Sequence, residues 1–112
     1  MLEADRVRLR HMLDASRKLD DFTRARTRQD LDTDEMLSLA VVRLLEILGE
    51  AASRVSDAFQ AAHPEIPWRQ IAGTRNRLIH GYFDVDLNIV WQIVQGDLPS
   101  LAKQLEAVVG AE

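Results

Sequence analysis

The residues with the greatest capacity for chemistry lie in one short run between positions 75 and 82. Arg75 and Arg77 carry permanent positive charge, and the planar guanidinium group of each can donate paired hydrogen bonds to phosphate oxygens. His80 can give or take a proton near neutral pH, since the reference pKa of histidine is about 6.5. Cleaving RNA requires a base for the 2′-hydroxyl, an acid for the leaving 5′-oxygen and positive charge for the transition state. The run supplies the positive charge and one group that can carry a proton. A single chain lacks a second such group in this run.

Helical geometry limits how these side chains can meet. Asn76 and His80 lie one turn apart on the same face, whereas Arg75 is rotated by about 140° from His80. Arg75 and His80 therefore converge easily only where the helix ends or across two chains, and a symmetric dimer would supply two histidines. Alternatively, Arg75 and Arg77 are solvated cations and His80 sits at the negative end of the helix dipole. An arginine and a histidine at this spacing are common by chance.

Other charged residues allow further interpretations. Asp84 and Asp86 could suggest a divalent metal site, but they are better explained as a turn residue and a helix N-cap, so no metal is expected. Arg24, Arg26 and Arg28 form a local basic cluster, which could touch RNA phosphates. A solvated helix end is the favoured interpretation of that cluster.

Apolar residues recur at the spacing of a helix face along the whole chain, and no alternating strand pattern competes. The predicted face of the first helix comprises Leu2, Leu9, Met12, Leu13, Leu19 and Phe22. The second and longest helix is predicted to begin at a capping box formed by Asp32 and Glu35. An apolar stripe, widened by Met36, continues to the predicted end of this helix at His63–Pro64.

The remaining elements are shorter. A third helix is predicted from Trp68 to about His80, and Asp86 is a good N-cap for a fourth. Gly96–Pro99 should break the chain before a last helix. These elements predict an all-α fold, a small antiparallel bundle of about five helices.

Gly49 stands inside the predicted long helix, where glycine costs about 1 kcal/mol relative to alanine. Together with residues 51–53, Gly49 forms a patch of small side chains that would allow the backbone of another helix to approach closely. Two interpretations are equally favoured: packing against the first or fourth helix of the same chain, and an interface with a second copy.

Length and composition set the outer limits. A chain of 112 residues predicts a single domain over 1–112. Its formal net charge of −4 gives no indication of an overall positive potential that would attract nucleic acid. The absence of cysteine excludes disulfide scaffolds, thiolate zinc sites and cysteine nucleophiles. No signal peptide is recognised, and no apolar run approaches the roughly 18 residues of a membrane span. We expect a cytoplasmic protein that does not contact a membrane.

The run over 66–86, IPWRQIAGTRNRLIHGYFDVD, resembles the signature of the HepT-like branch of the HEPN superfamily, small helical proteins with an R-x4-6-H motif. The motif takes the form R-N-x-x-x-H-x-Y here. The segment RLLEILGEAA over 43–52 is similar to the long-helix pattern of the family, and WQIV through DLP to QLE over 91–106 is also similar to it. The resemblance covers nearly the whole chain.

The resemblance implies a homodimer whose cleft joins two motifs and cleaves RNA without a metal or cofactor, as the toxin of a toxin–antitoxin pair. Arg75 would hold the scissile phosphate and His80 would be the acid and base. Asn76 would orient His80 or bind RNA, and Arg77 would belong to the same RNA-binding group.

The partner implied by the resemblance is a minimal nucleotidyltransferase antitoxin, which would add AMP to Tyr82 and so block the cleft by bulk and negative charge. Thr74 and Asp84 depart from the expected pattern, and the carboxylate of Asp84 should weaken RNA binding. Two other functions stay open. One is a non-cleaving accessory subunit that presents a nucleotide or substrate to the nucleotidyltransferase, and the other is a purely structural helical dimer.

Overall fold

The computed structural model describes residues 1–78 and 84–110, and within those ranges the chain is built from helices without a β-strand. In chain order these are α1 (Glu3–Thr23), α2 (Asp30–Thr33), α3 (Glu35–Ser53), α4 (Asp57–Ala62), α5 (Trp68–Ala72), α6 (Thr74–Leu78), α7 (Leu87–Gln92), a π-helical turn (Ile93–Asp97) and α8 (Leu98–Gly110). The predicted all-α class is confirmed, although the helices are more finely divided than expected. None of the described helices is long and apolar enough to cross a membrane.

The two long helices α1 and α3 pack against each other, α8 packs on α1, and α5 and α6 pack on α3. The side chains most completely buried at this centre are Leu9, Met12, Leu13 and Leu19 of α1, Val41, Leu45 and Leu48 of α3, and Leu105 of α8. Burying each such side chain contributes about 1.5–3 kcal/mol. The core therefore holds α3 firmly beneath the short helices α5 and α6.

The predicted apolar faces include three residues that the structure leaves in solvent. Leu2 is 64%, Phe22 43% and Met36 83% exposed. Leu2 is the N-cap of α1 and thus precedes the helix. In the last turn of α1 it is Thr23 that is buried, with its hydroxyl donating to the carbonyl of Leu19 at 2.7 Å.

The predicted long second helix ends early, because a polar corner interrupts it. Helix α3 ends at Ser53 and α4 begins at Asp57. Between them, the carboxylate of Asp5 is buried and accepts hydrogen bonds from the backbone N–H (2.8 Å) and hydroxyl (2.6 Å) of Ser56. The Ser56 hydroxyl also accepts from the backbone N–H of Phe59 and so caps α4.

The start of α3 is capped by a different aspartate from the predicted one. The carboxylate of Asp34 accepts from the backbone N–H of Leu37 at 3.0 Å. Asp32 lies instead in the short helix α2, where its carboxylate is 3.1 Å from the guanidinium of Arg28. The predicted capping box of Asp32 with Glu35 is therefore wrong, because α2 places Asp32 in a separate helical turn.

The C-terminal part of the chain confirms one prediction and corrects another. The carboxylate of Asp86 caps α7 by accepting from the backbone N–H groups of Asn88 (3.0 Å) and Ile89 (3.2 Å). The predicted break at Gly96–Pro99 does not occur, because the π-helical turn joins α7 directly to α8. Pro99 stands in the first turn of α8, directly after this π-helical turn.

Candidate active site on the short helix α6

The predicted third helix is divided at Gly73 into α5 and α6. Helical hydrogen bonds continue through the turn, since the N–H of Gly73 donates to the carbonyl of Arg69 (3.0 Å) and its own carbonyl accepts from Arg77 (3.2 Å). The expected end of this helix at His80 lies outside the described residues. Helix α6, over Thr74–Leu78, therefore carries the first half of the motif.

Gly49 of α3 sets how closely α5 and α6 approach the core. A Cβ atom placed on Gly49 would stand 3.0 Å from the carbonyl oxygen of Ile71 and 3.8 Å from the Cβ of Thr74. The small side chain thus serves packing within the chain. For Gly49 itself the partner is the predicted third helix, and not the first or fourth.

Two buried residues fix the rotation of α6. Thr74 is 3% exposed and Leu78 is fully buried, one turn apart on the face toward the core. Arg75 and Asn76 lie between them and are exposed. The Arg75 side chain has no ion pair or hydrogen bond within the part of the chain that the structure describes. Among those residues it is therefore a cation available to bind an anion.

Arg77 differs from Arg75, although only two positions separate them. Two residues correspond to about 200° around a helix, so the two side chains leave α6 on opposite sides. The Nη1 atom of Arg77 lies 3.7 Å from the Oδ2 atom of Asp97, in the π-helical turn. Arg77 and Asp97 both line a groove between α6 and α8. The spacing alone did not predict Asp97 as a partner, because 20 residues separate the two.

The second half of the motif, His80 and Tyr82, lies outside the described residues. The chain on either side is joined by a hydrogen bond of 2.7 Å from the N–H of Asp86 to the carbonyl of Leu78, which connects the end of α6 to the start of α7. Asp84 is exposed. The carboxylate of Asp86 is engaged as the cap of α7, as predicted.

The basic cluster at the end of α1 is surrounded by carboxylates. The guanidinium of Arg24 lies 2.7 Å from Asp20 and 3.0 Å from Asp21. Its hydrogen bond with Asp20 and the charges of both carboxylates raise the pKa of Arg24 above its ordinary value. This cation is already paired.

The other two arginines of the cluster are also engaged. Arg26 lies 3.4 Å from the carboxylate of Asp34, and Arg28 lies 3.1 Å from that of Asp32. The Nε of Arg28 also donates to the side-chain oxygen of Asn88 at 2.8 Å. These contacts favour the helix-end interpretation of the cluster over RNA binding.

No group of three or more histidine and acidic side chains in the described ranges is arranged to hold a metal ion. Within those ranges, the polar features around α6 are an unpaired cation at Arg75, an exposed amide at Asn76, and the Arg77–Asp97 pair on the opposite side.

A family model described as "Ribonuclease HepT-like" matches residues 12–108, a span that includes α6 and the whole run over 75–82. The chain belongs to the HepT-like ribonuclease family. Membership confirms the resemblance seen in the motif, and it confirms the predicted enzyme class, an endoribonuclease of the HEPN type.

Two curated relatives of this HepT-like chain have similar length. It is 41% identical over 98 residues to a protein of Thermococcus cleftensis named "Probable ribonuclease HepT", covering 88% of this chain and 89% of the relative. It is 34% identical over 111 residues to a protein of Caldanaerobacter subterraneus subsp. tengcongensis named "Putative RNase TTE0752", covering 99% of both. No solved structure gives a significant match.

Proposed function

We propose that this HepT-like ribonuclease is a metal-independent endoribonuclease whose active site is completed by a second copy of the chain. It would act in the cytoplasm as the toxin of a pair with a minimal nucleotidyltransferase antitoxin. The observation that carries the proposal is the state of Arg75, an exposed cation without a partner among the described residues, on a helix that Thr74 and Leu78 anchor in the core.

Arg75 supplies the positive charge in this reaction. Its guanidinium binds the non-bridging oxygens of the scissile phosphate and stabilises the charge that grows on them as the 2′-oxygen attacks phosphorus. Asn76, exposed beside it, binds the RNA strand or orients His80. The absence of a carboxylate partner for Arg75 in the described ranges supports this role, because a paired arginine would have to give up that contact first.

Two proton transfers accompany the cleavage. One histidine takes the proton of the 2′-hydroxyl, the P–O bond to the 5′-oxygen breaks, and a second histidine donates the proton that this oxygen needs. The products are a 2′,3′-cyclic phosphate and a 5′-hydroxyl. Since each chain has one histidine in the motif, His80, two copies supply both groups. This requirement is the reason for placing the active site in a homodimer cleft.

Control by the antitoxin would act at Tyr82. Transfer of AMP to its hydroxyl forms a phosphodiester and releases pyrophosphate from ATP. Tyr82 and Arg75 belong to the same motif. The added phosphate would therefore place negative charge near Arg75 and compete with RNA for binding to this arginine. Intact-mass measurement after co-expression with the nucleotidyltransferase should show one AMP per chain, and Tyr82→Phe should remain unmodified and toxic.

Cleavage of RNA by the purified protein in EDTA tests the proposal. We expect cleavage that His80→Ala abolishes, because both proton transfers lose their carrier. His11→Ala is the matched control, since His11 is an exposed histidine on α1 outside the motif, and it should leave the rate unchanged.

A requirement for magnesium, or full activity of the His80→Ala variant, would contradict this mechanism. Absence of cleavage together with tight binding to the nucleotidyltransferase would instead favour the accessory subunit. The exposed carboxylate of Asp84, which repels phosphate, is the feature that favours that second function.

A further inference from the structure

A groove of about 280 Å³ lies between helices α5 and α6 on one side and the π-helical turn and α8 on the other. Its floor is apolar and includes Leu48, Ile71 and Leu101, all of them buried. This volume is close to the lower end of the roughly 300–1,000 Å³ typical of small-molecule sites. The groove therefore has room for one flat ring system and not for a folded oligonucleotide.

Two opposite charges face each other across this groove. Arg77 reaches it from α6 and Asp97 from the π-helical turn, and their side chains are 37% and 46% exposed. The 3.7 Å between Nη1 and Oδ2 is longer than a hydrogen bond. Both groups therefore keep unused hydrogen-bonding capacity, the guanidinium as a donor fork and the carboxylate as a pair of acceptors.

We propose that this groove binds one guanine base of the RNA substrate, an inference that rests on the ribonuclease function proposed above. The carboxylate of Asp97 accepts from the N1–H and the N2 amino group of guanine, and the guanidinium of Arg77 donates to O6 and N7. The ring lies against the apolar floor, as unstacked RNA bases do in protein pockets. Guanine would have to separate the two side chains, which lie 3.7 Å apart, and each would then contact one edge of the base.

The other bases do not match this arrangement. Guanine alone among the four presents two adjacent donors on its Watson–Crick edge. Adenine and cytosine place a ring-nitrogen acceptor beside their amino group, which would face the Asp97 carboxylate with lone pair against lone pair. Uracil has one N–H between two carbonyl acceptors. A carboxylate opposite a guanidinium therefore selects guanine.

The position of the groove relative to Arg75 also defines which nucleotide is recognised. Arg75 and Arg77 project from opposite sides of α6, so a strand bound by both must pass around that helix. The recognised guanine is therefore not the nucleotide whose phosphate Arg75 holds. It lies a short distance along the strand, and cleavage should occur at a fixed distance from it.

The test uses short single-stranded RNAs that contain one guanine, together with matched strands in which adenine or inosine replaces it. Inosine lacks the 2-amino group and removes one of the two bonds to Asp97. We expect kcat/KM to be roughly 10- to 100-fold higher for the guanine strand than for the adenine strand, with inosine between them. The cleavage position should move with the guanine when it is moved along the strand.

Asp97→Asn should remove this preference, so that the guanine and adenine strands are cleaved at similar rates. The matched control is Glu46→Gln, because Glu46 forms a 3.7 Å pair with Arg43 on α3, away from this groove. If Asp97→Asn does not fold, Arg77→Lys tests the same site, since lysine keeps the charge but lacks the planar fork.

Titration with guanosine 5′-monophosphate, followed by NMR shifts of α6 and α8, separates this inference from the function on which it rests. Wild-type cleavage without a guanine preference, or a preference that survives Asp97→Asn, would overturn the inference and leave the ribonuclease intact. If no RNA is cleaved, the proposed function fails and the titration decides the groove. Binding weakened by Asp97→Asn then supports a guanine site, and absence of binding overturns it.

Discussion

The end of α1 and the short helix α6 both concentrate arginines, but among the described residues only α6 leaves one of them without a carboxylate partner. Arg24, Arg26 and Arg28 each lie within 3.4 Å of a carboxylate. Arg75 has no such partner in the described ranges. An arginine that already holds a carboxylate must release it before binding phosphate, so the region with more arginines is the weaker candidate for RNA. Availability of the cation, and not the number of cations, distinguishes the two.

Arg75→Ala should have the largest effect among tests of this comparison. Removing the group that stabilises charge in the transition state typically lowers kcat by about 10²–10³-fold. The matched control is Arg10→Ala, because Arg10 is an exposed helical arginine, also unpaired within the described residues, on α1. Single-turnover cleavage rates measure the difference. Equal rates for the two variants would show that an unpaired arginine on α6 has no special role.

Gly49→Ala tests how α6 is held. The new Cβ would meet the backbone carbonyl of Ile71 at 3.0 Å, so α5 and α6 must move outward. Overpacking of this kind costs about 1–3 kcal/mol, against about 1 kcal/mol gained from the better helix propensity of alanine. We expect lower stability in urea and slower cleavage. Gly110→Ala is the control, since a Cβ there meets nothing within 4 Å. A stabilised, fully active Gly49→Ala variant would contradict close packing.

The variant in which Arg24, Arg26 and Arg28 are all replaced by alanine should have the smallest effect on catalysis. Each arginine that neutralises a phosphate of single-stranded RNA adds about 0.7 to the slope of log affinity against log salt, and its removal takes that amount away. Because these three cations are engaged with carboxylates, the slope and the cleavage rate should match those of the wild type. A slope reduced by about two units, the sum for three such arginines, would show that the cluster binds RNA and would reverse the comparison.

The sequence predicts features of this molecule that depend on neighbouring residues. The helical class follows from apolar spacing along the chain, and the cap at Asp86 follows from an aspartate placed directly before an apolar run. Asp32 and Asp34 both precede the same apolar stripe, so local spacing does not show which of them caps α3. The pattern therefore predicts the cap at Asp32. The structure separates them through α2, which engages Asp32 with Arg28.

Features that depend on distant residues were not predictable. The corner between α3 and α4 requires Asp5, which lies 51 residues before Ser56 in the chain. The groove beside α6 requires Asp97 to meet Arg77, and Arg28 reaches Asn88 across 60 residues. At the candidate active site, the motif indicated which residue types are present. The packing of Thr74, Leu78 and Gly49 shows what holds Arg75 in position.

The π-helical turn has a consequence for how the chain can change in length. A π-helical turn behaves as an α-helix with one residue inserted, so α7 and α8 form a continuous rod that carries one residue too many. Deleting Gly96 would therefore convert the turn to ordinary α-helix and leave Leu98, Leu101 and Leu105 on the side that packs toward α1. Deleting a residue within α8 would instead rotate the helix that follows by about 100° and turn its buried leucines away from α1. The π-helical turn is thus the place where this rod can lose one residue and keep α8 in the core.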